Sequence, residues 1–215
     1  MLCGGSVNGG RRLRADIGAR LSIVLTLVGV LALVWAASSR AAGGDYVFDG
    51  GTAAQHAEVR AALDASSFDW GRVPRVTIHV APGQESEAVP HEIWLDADLL
   101  NSGRFAWGII QHEYAHEVDY LLLSDPLRSS LGVQLGTSEW YPGTGLAHDE
   151  YGCERFASTL AWSYWPSPAN SLKPNGPNAE SAAMEPASFR ALMTRLLGVP
   201  NSVAAFKAAR PPRRR

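Results

Sequence analysis

His112 and His116 stand four residues apart in the stretch GIIQHEYAHEVDY, residues 108–120, with Glu113 directly after the first of them. On an α-helix, residues four apart differ by about 40° around the axis and about 6 Å along it, so the two imidazoles project side by side. Two such rings can reach one divalent cation at about 2.0–2.1 Å. Glu113 falls at the edge of the same face, placed to take a proton from a water beside the ion rather than to bind the ion. The pattern H-E-x-x-H is complete residue for residue, and the chemistry it suits is zinc-dependent hydrolysis. The competing account is a chance match on a solvated helix face.

A hydrolytic zinc site takes three protein ligands and keeps a fourth position open. The metzincin continuation H-E-x-x-H-x-x-G-x-x-H would need Gly at 119 and His at 122, and the chain has Asp119 and Leu122. Asp119 lies on the histidine face one turn on, too far along to complete the site, but placed to hold His116 from behind by a hydrogen bond. Two further carboxylates follow, Glu150 and Glu154. The segment CERFASTLA, 153–161, resembles the one that carries the glutamate ligand in gluzincins, notably the zinc aminopeptidases with their N-E-G-F-A-S. Glu154, Phe156, Ala157 and Ser158 carry the match, and Cys153 stands where Asn is usual. The resemblance implies His112, His116 and Glu154 as zinc ligands and Glu113 as the catalytic base. Thermolysin-like members use E-x-x-x-D, in which the Asp supports a zinc histidine; counted from Glu154 that position is Ser158. Counted from Glu150 it is Glu154, which keeps Glu150 as the alternative ligand. GTGLAHDEYG, 143–152, is similar in part to the aspzincin G-T-x-D-x-x-Y-G, with Asp149 displaced by three positions, and makes Asp149 a third-choice ligand.

The mechanism this implies is peptide hydrolysis. Glu113 takes the proton of the attacking water and passes it to the leaving nitrogen. A donor must steady the developing oxyanion; His148, Tyr141, Tyr151 and Tyr164 are the candidates, and each has an ordinary reading as a loop or core side chain. His56, His79 and His91 read as surface or packing residues, the tryptophans as core, and Cys153 as a small buried filler.

These groups need elements to carry them. TAAQHAEVRAALDAS, 52–66, predicts a helix with a Thr cap. RVTIHV, 75–80, and HEIWLD, 91–96, predict strands, with 81–90 a polar turn between them. EIWLD, 92–96, is expected to be the edge strand against which an extended substrate pairs. FAWGIIQHEYAHEVDYLLL, 105–123, predicts the motif helix, ending before Pro126. Residues 124–146 read as loop. AHDEYGCERFASTLAWSYW, 147–165, reads as one helix weakened by Gly152, 166–186 as a covering segment rich in Pro and Asn, and 188–198 as a last helix. The fold expected is α+β, a minimal zincin-like domain over 42–200.

The chain of 215 residues has a net charge of −2, unevenly placed. Five Arg against Asp16 alone occupy residues 1–40, and four more Arg crowd 210–215, leaving ten bases against twenty acids over 41–209. So acidic a body excludes nucleic acid as a partner, because phosphate contacts need a basic face. Residues 21–37, LSIVLTLVGVLALVWAA, carry no charge, follow Arg11, Arg12, Arg14 and Arg20, and precede SSRAAGG. This is the layout of a secretory signal, removed near Ala41, or of a single N-terminal membrane anchor. Either places the body outside the cytoplasm, with 201–215 a basic tail. Cys3 and Cys153 are the only cysteines and form no disulfide framework. The function expected is a zinc metallopeptidase acting on a peptide or protein substrate. The alternatives are a zincin fold that binds without cleaving and a plain structural domain.

Overall fold

The computed structural model describes residues 43–143 and 145–198. The apolar run 21–37, the exit near Ala41, Cys3 and the basic tail 201–215 lie outside those residues. Among the described residues no helix is long and apolar enough to cross a membrane. The architecture is α+β, a small mixed sheet with helices packed against it.

Four strands make the sheet: β1 (Tyr46–Gly50), β2 (Val76–Ala81), β3 (Glu87–Val89) and β4 (Glu92–Asp96), in the order β1-β2-β4-β3. β1, β2 and β4 run parallel, and β3 is antiparallel to β4. The crossover between β1 and β2 is α1 (Ala53–Ala65), opened by the expected Thr52 cap in a capping box with Gln55. Alternation on β2 and β4 turns Val76, Ile78, Val80, Ile93 and Leu95 into the core.

Two strands escape the sequence pattern, and one expectation is corrected. The expected edge strand, β4, is interior, and the edge on that side is β3, which lies inside the stretch read as a turn. The cause is a tight turn at Pro90–His91. Proline sets φ at the first central position, and His91 takes φ +72° at the second, the pattern of a type II turn. A left-handed histidine is strained, and the turn is fastened: its amide donates to Oε2 of Glu117 at 2.9 Å.

A one-turn helix, α2 (Ala97–Leu100), leads to the central helix α3 (Ala106–Leu122). Every residue of α3 from Ile110 to Asp119 is buried. α1 and β3 lie against it on two sides and α5 (Gly152–Tyr164) on a third. α4 (Asp125–Leu135) occupies part of the stretch read as loop. Pro126 ends the pattern of α3 but also starts a new helix, because proline at a first-turn position forfeits only an amide that has no partner there. α6 (Pro186–Leu197) closes the chain against α5.

Asp119 fastens α3 to α4 and to the loop beyond it. It is fully buried and accepts Arg128 Nε at 2.8 Å and the Trp140 indole at 2.9 Å. Arg128 also donates to the Asp119 carbonyl and to Asp125, each at 2.8 Å. Removing one partner of a buried pair strands the other, so Asp119→Ala is expected to cost about 3 kcal/mol, at the low end for such pairs because Arg128 keeps Asp125. Urea unfolding checks this; a loss under about 1 kcal/mol would put the pair among exposed ones.

Candidate metal centre

α3 presents His112 and His116 toward α5, and α5 presents Glu154 back. Nε2 of His112 lies 3.1 Å from Nε2 of His116. Oε2 of Glu154 lies 3.2 Å from the first and 3.3 Å from the second. Four bonds of about 2.0–2.1 Å at tetrahedral angles set neighbouring ligand atoms about 3.3 Å apart, so these three atoms are spaced like one face of a tetrahedron. The buried group His112, Glu113 and His116 could hold a metal ion, its ligating atoms all lying within 4.8 Å of one another. Glu113 makes no ion pair with either ring, whereas Glu154 touches both, so geometry favours Glu154 as the carboxylate at the ion and leaves Glu113 beside it.

Electrostatics separate the two carboxylates. Burial pushes the Glu113 carboxyl above its ordinary range, against the pull of both imidazoles. Burial acts on Glu154 in the same direction, but the bonds from His112 and His116 outweigh it and hold this carboxyl well below the carboxylate range. Burial alone would depress His112; the Glu154 carboxylate overcomes it and raises that imidazole. The Cys153 thiol donates to the other oxygen of Glu154 at 3.5 Å, and burial raises its pKa, so it serves as a donor rather than as a nucleophile.

His148 is brought to the same place. Its Nε2 lies 3.3 Å from Oε2 of Glu154 and its Nδ1 lies 2.9 Å from Oε1 of Glu180. The stretch 147–165 is not one helix. His148–Glu150 forms a short 3-10 turn, Tyr151 is extended at φ −78° and ψ 143°, and α5 begins at Gly152. Trp140 packs against the start of α5, where a Cβ on Gly152 would sit 2.5 Å from its ring. The first amides of α5 are taken by the Glu139 and Trp140 carbonyls at 2.8 and 2.9 Å.

The break disposes of the other candidates. Glu150, the alternative ligand, is exposed and accepts the Ala147 amide at 2.9 Å. Asp149 offers its carbonyl to Arg155 Nε at 2.7 Å, and its side chain lines a separate cleft beside Asn175 and Asn178. Tyr151 accepts the Leu146 amide at 2.9 Å and does not line the metal cavity. Tyr164 is a core ring against Phe68. Tyr141 stacks on Tyr120 and lines a different cleft, beside α4. Asp119 does not hold His116: its bonds go to Arg128 and Trp140, and Nδ1 of His116 is buried without a partner. His112 is the tethered ring, its Nδ1 3.0 Å from Ser158 Oγ, and that hydroxyl lies 2.7 Å from Oε2 of Glu180.

A cavity of about 250 Å³ opens over these groups, walled on one side by Glu85–Ala88 and floored by Tyr120, which stacks on His116 and donates to the Ala88 carbonyl at 3.1 Å. A larger cleft of about 420 Å³ beside α4 contains none of the three imidazoles, so size does not mark the chemistry. Tyr120 was legible in principle, four positions after His116. Nothing in the sequence pattern marks Glu180, which sits in the Pro- and Asn-rich segment. Comparison of the chain with family models, with curated proteins and with solved structures gives no match.

Glu154→Ala is expected to weaken divalent-metal binding by about 100-fold or more, and Glu150→Ala to leave it within about twofold, because only Glu154 touches both imidazoles. Titration calorimetry with Zn²⁺ on both variants checks this; the reverse order would move the ligand role to Glu150.

Proposed function

We propose that the protein is a zinc metallopeptidase of minimal gluzincin-like form, exported or anchored by its N-terminal apolar segment. The observation that carries this reading is the mutual spacing of 3.1–3.3 Å among His112 Nε2, His116 Nε2 and Glu154 Oε2, with Glu113 beside them. Two nitrogens and one carboxylate oxygen suit zinc, and a fourth position is left for water or substrate. His112, His116 and Glu154 would hold the ion, and zinc there would supply Lewis-acid polarisation of a peptide carbonyl and of a water.

The chain's own residues do the rest. Glu113, its carboxyl raised by burial and set beside the imidazole pair, is placed to accept a proton from a water and return it to the leaving nitrogen. His148, its Nδ1 held by Glu180, is placed to donate to the oxyanion through Nε2 as an imidazolium, a form that burial disfavours and the Glu180 and Glu154 carboxylates favour on balance. The outer strand β3, which walls the cavity and whose Ala88 carbonyl already accepts from Tyr120, offers an extended peptide an edge to pair with.

A second reading rests on the 3.3 Å between His148 Nε2 and Glu154 Oε2, which is also the spacing of a fourth ligand. Four protein ligands would close the coordination shell and make a metal-bound binding or structural module. His148→Ala separates the two. As a donor its loss slows hydrolysis about 10²–10³-fold with zinc retained; as a ligand its loss releases zinc.

Glu113→Gln is expected to keep zinc and lower casein or peptide hydrolysis by about 10²–10⁴-fold. Hydrolysis untouched by that change, or wild-type protein that takes up no zinc, would end the peptidase assignment. Export is checked by fractionation of the native host: the body is expected in the membrane or extracytoplasmic fraction, and recovery from the cytosol alone would refute it.

A further inference from the structure

Glu180 opens a short turn, Glu180–Ala182, between α5 and α6. Both its carboxylate oxygens are engaged, Oε1 with His148 Nδ1 at 2.9 Å and Oε2 with the Ser158 hydroxyl at 2.7 Å. Its backbone carbonyl accepts Thr159 Oγ1 at 3.2 Å, which pins the turn to α5 next to Ser158. Glu180 therefore meets the metal cluster at two points without touching the three closely spaced ligand atoms.

Counting protons gives the direction of each bond. A carboxylate offers only lone pairs, and a serine has one O–H. Ser158 gives that proton to Oε2 of Glu180, so toward His112 its oxygen can only accept. His112 must then direct an N–H from Nδ1, which lies 3.0 Å away, at that oxygen, so Nε2, whose proton faces Glu154, is the nitrogen that would be freed for a metal. The same count makes Nδ1 of His148 a donor to Oε1. His116 has no comparable tether, its Nδ1 being buried without a partner, so the orientation of the cluster falls on the His112 side.

Resting on the metal-site reading above, we infer that Glu180 is the positioning carboxylate of the site: through Ser158 it fixes the tautomer and angle of His112, and directly it aims His148. One side chain thus supports both metal retention and turnover, along two separable arms.

The test uses the full chain, zinc affinity by competition with a chromophoric chelator, the visible spectrum of the Co²⁺-loaded protein, and hydrolysis of a peptide. Glu180→Gln keeps the side chain's volume and is expected to weaken zinc binding about 10–100-fold, to alter the Co²⁺ spectrum, and to slow turnover. Ser158→Ala is expected to give a similar loss of zinc, and the double variant Ser158→Ala/Glu180→Gln no more loss than the larger single, since both break one chain of bonds. Ser158→Asp combined with Glu180→Ala puts a carboxylate directly at His112 in the space vacated. It is expected to bring zinc affinity back to within about threefold of wild type while turnover stays low, because His148 still lacks its acceptor. The inference is overturned if Glu180→Gln binds zinc within about twofold of wild type, if the two single losses multiply, or if the rescue variant restores turnover as well. Wild-type protein that takes up no zinc overturns the metal reading and this role with it; zinc-binding wild type with indifferent variants overturns Glu180 alone.

Discussion

A buried helix cannot carry unpaired charge, and α3 carries five acidic or imidazole side chains within its buried span: His112, Glu113, His116, Glu117 and Asp119. Most of the surrounding structure answers that constraint. Glu117 is held by the amide of His91, and so fixes the turn that makes β3 an edge. Asp119 is held by Arg128 and Trp140, and so fixes α4 and the loop that caps α5. His112 and His116 are held by Glu154, and so fix the angle of α5 against α3. Glu113 is the member of the five with no such anchor among the described residues, and it faces the cavity. A buried group left available at a cavity is what acid–base work needs, and its neighbours are the ones that support the fold.

How much of this the sequence discloses depends on the range of each interaction. The paired imidazoles were legible because helical spacing alone puts them together. Glu154 was legible through CERFAS, a local pattern on one helix, and the α+β class through the mix of alternating and helical periodicities. β3 was hidden in a segment too short and polar to show alternation, and it exists because Pro90 and His91 turn the chain back. β1 and α4 were equally silent in the pattern. Ser158 looked like a defect, standing where a thermolysin-like pattern has Asp. The structure shows why the position tolerates it: the hydroxyl reaches His112, and a carboxylate from elsewhere reaches the hydroxyl. No local pattern could disclose that carboxylate, because Glu180 is close only through the path of the 166–186 segment.

Behind His116 an aromatic ladder runs from the same helix to the loop after α4. His116 stacks on Tyr120 and Tyr120 on Tyr141, each pair 6.1 Å apart, and the guanidinium of Arg128 lies 5.5 Å from the Tyr141 ring. Arg128 is the partner of Asp119. The ionic anchor of α3 and the packing behind His116 are therefore one structure. Burial also raises the phenols of Tyr120 and Tyr141, which keeps both hydroxyls protonated.

The break at Tyr151 decides which side chain of 148–150 fills the site. In a continuous helix Glu150 would share a face with Glu154, four positions on, and His148 would lie about 120° around the axis. That arrangement would bring a second carboxylate toward the imidazoles and carry the third imidazole away. The extended backbone at Tyr151 rotates the 3-10 turn out of register, so Glu150 caps its own turn and His148 swings over Glu154. Gly152 is where that choice is made. Only a residue without a Cβ lets Trp140 lie across the start of α5, and that ring is in turn held by Asp119. A glycine read in the sequence as weakness in a helix is the joint at which His148 joins His112 and His116 around the Glu154 carboxylate.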